Sequence, residues 1–88
     1  MPGDSWEHQR KLKIFLILKR VKENKDITLD KLASMVTVKP PMLNRIKALQ
    51  MLEDLNKTGM IAIDNAGVVT LNDDDDFVVQ LFRELGEA

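Results

Sequence analysis

The chain has no cysteine and no tyrosine, and only one tryptophan, one histidine, three prolines and four glycines among its 88 residues. Without cysteine there is neither a disulfide framework nor a thiolate metal site, and the composition carries no mark of a redox compartment. His8 alone makes neither a zinc site nor a catalytic pair. The few glycines form no phosphate-cradling loop and no nucleophile elbow, so the sequence points to no enzyme, no cofactor and no metal. Long apolar runs are missing too. The longest, Ile14–Leu18 (IFLIL), has basic residues on both sides and is far too short to span a bilayer or serve as a secretory core. The expected compartment is the cytoplasm, or the nucleus if the cell has one. There is no internal repeat and no low-complexity linker, and the length holds one domain.

What is present is an ordinary folded composition, 44% apolar and 31% charged. The net charge of −1 hides a division along the chain. Met1–Gln50 carries eleven Lys/Arg against five Asp/Glu, and Met51–Ala88 carries two against nine. Such asymmetry points to an electrostatic surface, although basic residues that merely solvate the first helix would give the same count.

The spacing predicts a helix over 4–24, opened by Asp4 or Ser5 with Glu7 at capping-box distance. Ile14, Leu18 and Val21 form one apolar stripe, which Leu12 and Leu16 widen. A small domain has little to cover so broad a surface, so either a second copy or the chain's own last helix must do it. On the first reading the dimer interface comprises Leu12, Leu16, Phe77, Leu81 and Phe82. Asn24-Lys25-Asp26 breaks the helix and Ile27 makes a brief strand. Thr28 caps a second helix, 28–36, with Asp30 in its first turn. After Val36-Thr37-Val38-Lys39, Pro40-Pro41 opens a third helix over 40–58, which Gly59 ends. MIAI and GVVTL, joined by Asp64-Asn65-Ala66, form a hairpin over 60–71. A last helix over 74–86 follows the run Asp73–Asp76. That run lacks the spacing and interior glycine of a calcium loop, and capping of the last helix accounts for it better. Trp6 reads as an anchor for the first helix.

From Ile27 to Leu71 the chain resembles the winged helix-turn-helix superfamily, which includes the MarR-like and ArsR-like regulators. ITLDKLASMV is similar to the second helix of that fold, VKPPMLNRIKALQMLEDL to its recognition helix, and LNKTGMIAIDNAGVVTL to the exit and wing. The phrase Leu52-x-x-Leu55-x-x-x-Gly59-Met60-Ile61 is similar to the end of that helix, where glycine turns the chain into the first wing strand. The resemblance implies an α+β, mostly helical fold: a three-helix core, a short β-hairpin wing and an additional C-terminal helix. It also implies a transcriptional regulator that binds double-stranded DNA, commonly as a homodimer.

At about 100° per residue, Met42, Leu43, Ile46 and Leu49 share one side of the third helix and are expected to lie inside. The opposite side then presents Asn44, Lys47, Ala48 and Met51, with Arg45 on the flank. Asn reads adenine, Arg or Lys reads guanine, and Ala touches a thymine methyl. Thr37 and Lys39 at the helix opening suit phosphate. The expected nucleic-acid contacts are therefore Thr37, Lys39, Asn44, Arg45, Lys47 and Ala48. The wing, Asp64-Asn65-Ala66-Gly67, has one acid and no base, which is unsuited to phosphate. The first helix would compensate if Arg10, Lys11, Lys13, Lys19, Arg20 or Lys22 faced the duplex. The competing reading is a module that docks a protein partner within a larger assembly, in keeping with the acidic second half.

Overall fold

A computed structural model describes the backbone of residues 2–86 and the side chains of residues 7–86. The element order is α1 (Pro2–Glu23), α2 (Leu29–Val38), α3 (Arg45–Lys57), β1 (Ile61–Ile63), β2 (Val69–Leu71) and α4 (Asp76–Leu85). The architecture is α+β and mostly helical: four helices and one antiparallel hairpin, with Ile61 opposite Leu71, Ala62 opposite Thr70 and Ile63 opposite Val69. No helix among the described residues is long and apolar enough to cross a membrane.

α1 begins at Pro2, so Asp4 lies within the helix instead of ahead of it. The expected cap by the Asp4 or Ser5 side chain, and the anchoring role of Trp6, lie outside the described side chains. Thr28 does cap α2, its Oγ1 accepting from the Lys31 N–H at 3.3 Å. α2 runs two residues beyond its expected end, to Val38. The larger correction concerns α3, which begins at Arg45 and not at residue 40. A residue before proline is pushed out of the helical region, and here that restriction falls on both Lys39 and Pro40. Lys39 is extended accordingly, at φ −118° and ψ 156°. Met42 then takes a left-handed φ of 55°, and the Leu43 N–H donates to the Val36 carbonyl at 2.8 Å. Coiling starts only at the next residue able to cap it, Asn44.

Gly59 sits at φ +86°, where it lets the chain leave α3 and enter β1. Asp75 caps α4, its Oδ1 accepting from the N–H groups of Phe77 at 2.9 Å and Val78 at 3.1 Å, the role expected of the aspartate run. The core draws on every element: Ile14, Phe15, Ile17, Leu18 and Val21 of α1, Leu32, Ala33 and Val36 of α2, Ala48, Leu52 and Leu55 of α3, Ile61 and Val69 of the hairpin, and Val78 and Leu81 of α4. Leu81 is enclosed within its own chain, and Phe82 stands edge-on to Phe15 with ring centroids 5.1 Å apart. α4 therefore covers part of the apolar surface of α1, which β2 and α2 also contact. This removes Leu81 from the expected dimer interface and leaves Leu16, Phe77 and Phe82 half-buried, with Leu12 exposed.

Candidate nucleic-acid interface

The inward face of α3 is Ala48, Leu52 and Leu55, spaced i, i+4, i+7, with Met51 partly buried beside them. The helix is thus rotated from the expected setting. Ala48, expected outside, is 0% exposed, whereas Ile46 and Leu49, expected inside, are 73% and 37% exposed. Leu43 is buried as expected, but Met42 joins the exposed group at 66%. The physical cause lies at the C-terminal end of the helix. Leu52 and Leu55 are held against the core by the Gly59 exit, and a rigid helix carries that setting back to Ala48, one and two turns earlier. The small Ala48 side chain allows close approach at that point. The 48/52/55 spacing was visible in the sequence and was the missed signal.

With Ala48, Leu52 and Leu55 inside, the row farthest from the core is Ile46, Gln50 and Glu53, all exposed. Lys47 lies on one flank and Arg45 with Leu49 on the other. The two flanks differ. Arg45 is committed to α2, its Nη1 donating to Ser34 Oγ at 3.1 Å and its Nη2 forming an ion pair with Asp30 Oδ1. Lys47 instead borders a hollow that α1 also lines. Gln9, Arg10 and Lys13 of α1 share a hollow with Lys47, Gln50 and Asp54 of α3, over a floor of Ile14, Met51 and Leu55. A second, shallower hollow on the first turn of α3 is lined by Asn44, Arg45, Ile46, Lys47 and Gln50. Lys47 and Gln50 border both, so one tract runs from Arg10 and Lys13 to Ile46. Among the described residues, none of Arg10, Lys13 and Lys47 takes part in an ion pair.

The other expected contacts are distributed as follows. Asn44 is exposed, but its Oδ1 accepts from the Lys47 N–H at 2.8 Å, so it caps α3. Thr37 turns its hydroxyl back to the Ser34 carbonyl at 2.6 Å. Lys39 closes α2 with its backbone and leaves its side chain exposed. Of the α1 bases named from the sequence, Arg20 pairs with Glu23 and Lys22 lies over the Phe82 ring at 4.8 Å from its centroid. Only Arg10 and Lys13 share the hollow with α3. At the hairpin tip Asp64 Oδ1 accepts from the N–H groups of Ala66 and Val68, each at 2.9 Å, which orders the turn and leaves its charge in place. Val38, at the end of α2, adds a further exposed apolar side chain at 72%. Comparison with known proteins finds no matching family model, no matching curated protein and no matching solved structure.

Proposed function

We propose that this chain is a winged-helix module that binds duplex DNA and regulates transcription, with α3 as the reading helix and the hairpin as the wing. The observation that carries the reading is the tract of Arg10, Lys13 and Lys47, three cations that form no ion pair among the described residues and outnumber Asp54, the one carboxylate lining the same hollow, beside the exposed first turns of α3. An α-helix fits the major groove, and lysine or arginine at its margins neutralises phosphate. Lys39 adds a fourth base at the α2–α3 turn. Because α1 packs against α4, β2 and α2 within the chain, the reading does not require a second copy. The test is a fluorescence-anisotropy titration of a mixed-sequence duplex at rising salt. Three phosphate contacts give a log–log slope of about −2.7, and four about −3.6. A chain with no affinity at low salt, or an affinity indifferent to salt, would overturn the proposal.

A specific observation favours a second reading. Val38, Met42, Ile46 and Leu49 are exposed around the α2–α3 turn and the start of α3, where a protein partner would find apolar anchors. A folded chain that binds no duplex at low salt supports this reading.

A further inference from the structure

Resting on the DNA-binding reading, we infer that α3 selects A·T base pairs by touching the 5-methyl groups of thymine, with Ile46 and Leu49 as the apolar contacts and Gln50 as the partner of adenine. The inference begins with what the first two turns of α3 have left to offer. Arginine would read guanine through its planar fork, but Arg45 has that fork engaged by Ser34 and Asp30 of α2. Asn44 would read adenine through its amide, but its oxygen is spent on the Lys47 N–H. Ala48, the small side chain expected at a thymine methyl, is buried in the core. Three exposed side chains remain on the outer row or beside it: Ile46, Leu49 and Gln50.

Their chemistry is selective. The thymine methyl is the apolar group on the floor of the major groove, so an aliphatic side chain brought there loses water at no polar cost. The same side chain set over a G·C pair covers the N7 and O6 acceptors of guanine and the N4 donor of cytosine, and leaves them unpaired. Adenine N7 and N6 and thymine O4 are polar as well, so the preference of Ile46 for A·T rests on the methyl contact. Gln50 lies four residues on, one turn along the same row, where its amide reaches N6 and N7 of adenine in the neighbouring pair. Lys47, on the α1 flank with Arg10 and Lys13, holds the backbone and leaves the groove floor to the other three. Glu53, next along the outer row, pairs with Lys57 at 3.3 Å, so the apolar and amide side chains offered to the groove are confined to the N-terminal half of α3.

The test separates this inference from the reading beneath it. The full chain is titrated at low salt with three duplexes of equal length: one rich in A·T, the same duplex with deoxyuridine replacing every thymine, and one rich in G·C. Deoxyuridine removes the methyl and nothing else, so it leaves the minor groove unchanged. The expected result is binding to the thymine duplex roughly fourfold tighter per contacted methyl than to the uracil duplex, and weakest binding to the G·C duplex. The Ile46→Ser, Leu49→Ser protein is expected to fold with a lowered melting temperature, because Leu49 is only 37% exposed in the parent, and it is compared with the parent at a temperature where both are folded. It should bind both A·T duplexes with the lower, uracil-like affinity. Equal affinity of the parent for thymine and uracil duplexes would overturn the inference while leaving DNA binding intact. Discrimination that survives in the double variant would do the same. Absence of binding to all three duplexes would overturn both.

Discussion

Arg45 of α3 is tied to Asp30 of α2 by an ion pair, and its second guanidinium nitrogen reaches Ser34 on the next turn of α2. The pair sits on the surface, with side chains 49% and 79% exposed, so solvent screens it and its contribution to stability is small. Its effect is to fix the direction of the guanidinium against α2. Asp30→Ala should therefore change thermal stability by less than about 0.5 kcal/mol yet alter binding. On the DNA-binding reading, the release of Arg45 should raise duplex affinity by no more than about twofold at low salt, since a pair worth under about 0.5 kcal/mol holds it back by no more than that. If the freed fork reaches a base, preference should move towards G·C. Melting curves and salt titrations of the variant check both parts.

Asn44 caps α3, its Oδ1 accepting from the Lys47 N–H. Asn44→Ala should lower stability by about 1 kcal/mol and weaken all duplexes in proportion to the loss of α3 order. Asn44→Ser, which restores the cap without the amide, should recover both. A protein in which serine restores the fold while sequence preference stays lost would show that the amide has a second role.

The rotation of α3 makes two opposite expectations for neighbouring sites. Ala48→Glu places a charge in the core and should unfold the chain or leave it marginal. Ile46→Glu alters a side chain already in solvent, so its melting temperature should stay near that of the parent. Denaturant titration of the two proteins decides the setting of the helix directly; the reverse order would restore the orientation first expected.

Backbone conformation gives a further pair. Gly59 lies at φ +86° with nothing within 4 Å of where a Cβ would be placed, so Gly59→Ala should lose about 1–2 kcal/mol through the left-handed backbone alone. Met42, exposed and at φ 55°, is the mirror case: Met42→Asn should hold or raise stability by up to about 1 kcal/mol.

The order of elements was legible because each boundary carried its own chemistry: Thr28 and Asp75 as caps, Gly59 as an exit, and the β-branched runs around Asp64–Gly67 as a hairpin. The start of α3 was not, because proline favours both a helix opening and the extended residue before it, and Pro40-Pro41 satisfies the second demand at the expense of the first. The facing of α3 was ambiguous for a different reason. Ile46 with Leu49, and Ala48 with Leu52 and Leu55, are two apolar stripes on one helix, and local spacing ranks the bulkier first. Only the attachment of the far end to the hairpin shows that the stripe containing alanine is the inner one. The basic tract was half legible: the sequence named Arg10, Lys13 and Lys47 among many bases, but their meeting depends on how α1 crosses α3.

The hairpin is stitched to the start of α2. Val69 donates to the Ile27 carbonyl at 2.8 Å, Leu29 donates to the Gly67 carbonyl at 2.7 Å, and Thr28 bridges Val68. The tip at Asp64–Gly67 is therefore joined by hydrogen bonds to the segment that leads into α2 and to Asp30, the partner of Arg45. Only Ile27, Thr28 and the opening of α2 separate the hairpin's hydrogen bonds from that ion pair, so the two share one anchor in the fold.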